Sequence, residues 1–185
     1  DKSEGLEAGL AGLVFVLASD LWLVSFHLDQ PFTASGLMEN CDGLASFGDV
    51  SVWPETRSRM AGVIPAFLGR FVGILDGLRW SSWLFSAVVG TGIFVWAALL
   101  RGRFAGWVAI AAALAMGPLT HLPRMLSFYP EMIAVFTWAG VALTALVLRP
   151  GMRTAILAGL AVGGCALIDA RGLSFAGMFT VLGFF

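Results

Sequence analysis

Charge is what this sequence has least of. Only 12% of its 185 residues are Asp, Glu, Lys or Arg, against roughly 25% in an ordinary soluble domain. With 58% hydrophobic residues and a mean hydropathy of +0.87, this scarcity argues against a soluble domain and for an integral membrane protein. The net charge of -1 and the lack of a basic patch exclude nucleic acid as a partner. Cysteine is scarce as well. Cys41 and Cys165 are the only two, too few for a disulfide framework and without metal-site spacing. Cys165 lies in an apolar run and reads as a small core residue. No internal repeat is visible, and no signal-peptide cleavage pattern stands out near the start.

What the chain does have is apolar runs of membrane length, at 8–26, 83–100, 104–119, 132–148 and 154–168, with a last run at 172–185. The expectation is an all-α polytopic membrane protein of about six transmembrane helices, the last truncated. As a helix, 172–185 covers about 21 Å at 1.5 Å per residue, against a hydrocarbon core of about 30 Å. The chain also begins without Met. Residues 1–185 are therefore expected to be a single transmembrane domain and the N-terminal fragment of a longer protein.

A large loop at 27–82 separates the first two runs. Its stretch from His27 to Arg79 holds six of the twelve acidic residues and four of the eleven basic ones. Met60, Val63, Ile64, Phe67, Leu68, Phe71, Ile74 and Leu78 recur at three- and four-residue spacing, which predicts an amphipathic helix. Pro54-Glu55 suits its start, and Pro65 a second start or a kink. Such a helix, whole or broken in two, is expected to lie in the membrane interface. Trp80 and Trp83 then mark re-entry into the bilayer, as belt aromatics do.

The short loops set an orientation. With a cytoplasmic N-terminus, the inner side holds Lys2, Arg101, Arg103, Arg149 and Arg153, and the outer short loops hold Arg124 and Arg171. That agrees with the positive-inside rule. The outer side then gathers the 27–82 loop, 121–131 and 169–172. Asp20 lies inside the first run, where a carboxylate must face protein or water. It falls on one helix face with His27, so two readings stand: a polar track leading to the loop, or a carboxyl hydrogen-bonded against neighbouring helices.

The outer side carries the candidate chemistry. Its carboxylates are Asp29, Asp42, Asp49, Glu55 and Glu131, and their cationic or titratable partners are His121, Arg124 and Arg171. A carboxylate at the water boundary can act as general base toward an acceptor hydroxyl, the role assigned to Asp29. Guanidinium forks match phosphate oxygens, so Arg124 and Arg171, with His121, are the candidate substrate contacts. A cation or divalent metal would stabilise charge developing on a phosphate as its sugar leaves. Glu131 and Asp42 are the candidate metal ligands. The bland alternatives are a turn carboxylate at Asp29, headgroup anchors at Arg124 and Arg171, a hydrogen-bonded interfacial His121, and a helix-start acid at Glu131.

The pattern resembles the GT-C-type polytopic glycosyltransferases, especially dolichyl-phosphate-mannose protein mannosyltransferase-like and aminoarabinose-transferase-like members. That family places an essential Asp just after the first span, here Asp29. It often carries an Arg and then an acid opening the fourth span, here Arg124-Met125-Leu126-Ser127-Phe128-Tyr129-Pro130-Glu131. A Gly-rich fifth span ends in a basic residue and Gly, here Gly163-Gly164 running on to Arg171-Gly172. One departure is that many members have an acidic pair where this chain has Asp29-Gln30. The resemblance implies transfer of a sugar from a polyprenyl-phosphate donor to a lipid, glycan or protein acceptor. It would act on the periplasmic face of a bacterial inner membrane, among membrane lipids. The other readings are a transporter or flippase of a lipid-linked substrate, which the Asp20–His27 track would favour, and a non-catalytic assembly subunit.

Overall fold

The computed structural model describes residues 2–25, 32–33, 63–126 and 129–168. Seven helices occur among them: α1 Lys2–Ser25, α2 Val63–Val72, α3 Ile74–Arg101, α4 Arg103–Ala115, the short α5 Gly117–Thr120, α6 Tyr129–Leu148 and α7 Met152–Ile168. A 3-10 turn at Leu122–Arg124 precedes strand β2, Met125–Leu126, which pairs in parallel with β1, Phe32–Thr33. The fold is thus all-α apart from one two-residue pair. Helices α1, α3 and α6 are long and apolar enough to cross a membrane; α4 and α7 are apolar but shorter.

Helix α1 shows why composition pointed to a bilayer. Ala8, Ala11, Phe15, Val16 and Leu23 are buried, while Leu6, Leu10, Leu13, Leu17 and Leu21 on the other side are exposed. Both faces are apolar, as a helix between protein and lipid requires. At its last described residue, the Ser25 hydroxyl donates to the Leu21 carbonyl at 2.7 Å.

Helix α3 is the central post, packed against α1, α2, α4 and α6. Small residues let the backbones approach. A Cβ on Gly12 would collide with the Thr91 hydroxyl and lie 2.5 Å from the Ala87 carbonyl oxygen, and one on Gly90 would lie 2.7 Å from the Phe15 Cβ. The main core joins Ala11 and Phe15 of α1 to Phe94 of α3 and Ile110 of α4. Indole groups bridge helices: Trp96 donates to the Thr144 hydroxyl at 2.9 Å and Trp138 to the Val88 carbonyl at 3.1 Å. Interhelical hydrogen bonds of this kind are worth about 0.6–2 kcal/mol in a membrane.

Three expectations change. A helix starts at Val63 with Pro65 in its first turn, as the expected second start, and the stripe is split again at Gly73, with φ 89° and ψ 151°. That backbone region is essentially open to glycine alone. Pro65 sits in the first turn of α2, where its missing N–H costs nothing. It is buried against α3: its carbonyl oxygen would lie 2.7 Å from a Cβ on Gly77. Ile64, Phe67 and Phe71 remain as an exposed apolar face on α2, while Leu78 is buried in the bundle. The second span accordingly starts at Ile74, upstream of the expected 83, so Trp80 and Trp83 lie within its first turns. The expected third span, 104–119, is interrupted at Met116, which has extended backbone between α4 and α5. Pro118 opens α5, where a proline is well tolerated. With 13 residues, α4 covers about 20 Å. The expected sixth span, at 172–185, lies outside the described residues.

The two ends of the bundle differ in character. The turn around Gly102, between α3 and α4, meets the start of α1: the Arg103 guanidinium lies 3.3 Å from Glu4 and 3.4 Å from Glu7. The α6–α7 turn brings Arg149 to the same end. The end of α1, the 3-10 turn and the start of α6 form the opposite end.

Candidate functional site

At the opposite end, one ion pair joins the turn after α5 to the end of α1. Asp20, one turn before the helix closes, accepts a hydrogen bond from Arg124 Nε at 2.5 Å. The partners are 104 residues apart. Both are largely shielded, with side chains 20% and 31% exposed. A lone carboxylate in a span is expensive, and the guanidinium meets that cost with a charge-assisted bond.

Local chain geometry presents Arg124. Thr120 ends α5, with its hydroxyl donating to the Leu114 and Met116 carbonyls at 2.9 and 3.1 Å. His121 caps that helix through its backbone N–H to Gly117, and its own carbonyl accepts the Arg124 N–H at 3.1 Å. Leu122 and Pro123 are buried, and Leu122 packs with Val89 and Ala134. The turn is therefore anchored between α3 and α6. The two-residue strand that follows pairs Met125 with Phe32 and Leu126 with Thr33, which ties the loop after α1 to the segment bearing Arg124.

Among the described residues, only the Nε edge of Arg124 is engaged. Its two terminal amino groups make no hydrogen bond among the described residues. Such an arginine is oriented by one carboxylate and keeps a fork of donors for another oxyanion.

Three of the expected site residues fall in this region. Arg124 and His121 are adjacent on the turn, with His121 half-buried, and Glu131 is buried, 5% exposed, in the first turn of α6. An acid there also suits the positive end of the helix dipole. Asp29, Asp42 and Arg171 lie outside the described residues. Of the two readings of Asp20, the hydrogen-bonded carboxyl is the one observed. His27, the other end of the expected polar track, is outside the described residues.

Two features went unanticipated. One is the Asp20–Arg124 pair itself. Its signal was present as a lone acid in a span and a short-loop arginine at the same end. The other is Ser19, fully buried, whose hydroxyl has no hydrogen-bond partner among the described residues. Among the described residues, no group of three or more His, Cys, Asp or Glu is gathered as a metal site would need. The expected Glu131–Asp42 ligand pair extends beyond them. Comparison with known protein families, curated proteins and solved structures finds no match for this chain.

Proposed function

We propose that this chain is the membrane domain of a glycosyltransferase that takes a sugar from a polyprenyl-phosphate donor at the Asp20–Arg124 end of the bundle. The observation that carries the reading is the state of Arg124. It is held at Nε by Asp20, and its terminal amino groups, without a partner among the described residues, suit an oxyanion. A phosphodiester on a membrane-borne lipid arrives at this depth, and a guanidinium fork matches its oxygens. As the sugar departs, negative charge grows on the phosphate, and an oriented guanidinium stabilises it as it develops.

The base in this reading is Asp29, which takes the proton from the acceptor hydroxyl as that oxygen attacks the sugar carbon. What supports the assignment is chain length: Asp29 is three residues before Phe32, which pairs beside Arg124. Three residues of chain reach no more than about 11 Å. Arg171, three residues after the end of α7, and His121 complete the donor contacts, and the exposed apolar face of α2 lies in the interface. Glu131 is the second acidic group, with Asp42 as its partner should a divalent metal take part.

The test is transfer by the full-length protein in vesicles, supplied with a polyprenyl-phosphate sugar. Asp29→Asn is expected to lower turnover roughly 10²–10⁴-fold, the range of a positioned acid–base group, with yield and thermal stability unchanged. Arg124→Lys keeps the charge and loses the fork, and is expected to weaken donor binding. Near-normal transfer by Asp29→Asn would overturn the catalytic assignment.

A further inference from the structure

The opposite end of the bundle holds a cavity of about 280 Å³, between the start of α1, the end of α3 and the α6–α7 turn. Its inner wall is hydrocarbon: Phe94, Val95, Ala98 and Leu99. Its mouth carries Glu4, Glu7, Arg103 and Arg149.

The charged groups at the mouth are not equivalent. Arg103 is committed to both glutamates, at 3.3 and 3.4 Å. Glu7 also accepts the Trp107 indole N–H at 2.9 Å. The carboxylates are thus occupied, and Arg103 is largely neutralised. The Arg149 guanidinium has no hydrogen bond or ion pair among the described residues, yet it lines the same cavity. Arg101 and Arg153 stand at the same end, so the described side chains there number four arginines against two glutamates. The outer surfaces beside the cavity are those of a lipid-facing bundle: Leu6, Leu100 and Phe104 are all exposed.

We infer that this cavity is a binding site for an anionic phospholipid of the adjoining leaflet, with the phosphodiester on Arg149 and the proximal acyl chain against Phe94, Ala98 and Leu99. The cavity offers an unused fork of donors beside a hydrocarbon wall at headgroup depth, and a phospholipid presents the same two chemistries in the same order. The arginine surplus selects a net anionic headgroup over a zwitterionic one. The Arg103–Glu4–Glu7 cluster acts as the rigid rim, tying α1 to α4.

Native mass spectrometry of the purified full-length protein tests this, with phosphatidylglycerol and phosphatidylcholine of matched chains as probes. The wild type is expected to retain one phosphatidylglycerol with about tenfold or greater preference. Arg149→Gln, at an exposed position, is expected to remove about tenfold of that affinity, the worth of one charge-assisted hydrogen bond. Leu99→Trp, which fills the hydrocarbon part, is expected to lower retention of both lipids. Equal retention of the two lipids by the wild type would sink the proposal, as would wild-type retention by Arg149→Gln. So would full displacement by millimolar inorganic phosphate, which would make this a site for a free anion.

Discussion

Asp20 is the residue on which the candidate site turns. Its carboxylate lies within a transmembrane helix, and the Nε bond from Arg124 keeps it there. Removing one partner of a fully buried pair costs about 3–5 kcal/mol. These side chains keep 20% and 31% of their exposure, so the expected cost of Asp20→Asn is smaller, about 1–3 kcal/mol, because water still reaches the stranded guanidinium. A double-mutant cycle separates the pair from its surroundings. Asp20→Asn, Arg124→Gln and the double variant, unfolded thermally in detergent, are expected to show a coupling of about 0.5–3 kcal/mol, the range for residues in direct contact. Strict additivity would mean that the pair contributes nothing as a pair. If Arg124 holds the proposed donor, its binding supplies a second readout: Asp20→Asn is expected to weaken it, since Arg124 would lose its orientation.

At the scale of elements, backbone proximity is the controlling quantity. Gly9 and Gly12 lie on the same helix, three residues apart, and look alike in sequence. A Cβ on Gly9 meets nothing within 4 Å, whereas one on Gly12 runs into Thr91 and Ala87 of α3. Gly9→Ala is therefore expected to be neutral or to stabilise by up to about 1 kcal/mol, the helix-propensity difference. Gly12→Ala is expected to destabilise by about 1–3 kcal/mol, the usual cost of overpacking. Thermal unfolding of the two variants in one detergent checks it, and equal midpoints would mean that α1 and α3 are not in close contact. The α2–α3 corner is set differently: a Cβ on Gly73 meets nothing within 4 Å, and its positive φ is what closes the position to other residues.

For the whole molecule, the distribution of arginine is the organising fact. Arg101, Arg103, Arg149 and Arg153 all lie in or beside the α3–α4 and α6–α7 turns, which share the end occupied by the start of α1. If that end is cytoplasmic, as the positive-inside rule predicts, Cys41, in the chain between α1 and α2, faces the outside. With Cys165→Ser to remove the other thiol, an impermeant maleimide is expected to label Cys41 on intact cells. A Ser46→Cys variant guards against a shielded Cys41. Labelling of both positions only after the cells are opened would invert the orientation, and with it the face on which the proposed donor is met.

Composition and apolar run length alone determined the membrane class, the presence of apolar helices at α1, α3, α4, α6 and α7, and the basic turns at 101–103 and 149–153. These are properties of local sequence, and a bilayer filters for them directly. Which face of each helix packs was not legible there. In lipid both faces are apolar, so periodicity does not separate Leu6 and Leu10, exposed, from Ala8 and Phe15, buried. Residue size does so only once the neighbouring helix is known. The split of the stripe at Gly73 and the interruption at Met116 rest on local glycine and proline geometry, which many glycines in the chain could have supplied. The Asp20–Arg124 pair depended on the folding of the whole bundle. A carboxylate in a span announces that it needs a partner, but only the tertiary structure, by bringing the turn after α5 against the end of α1, decided that the partner is the arginine 104 residues away.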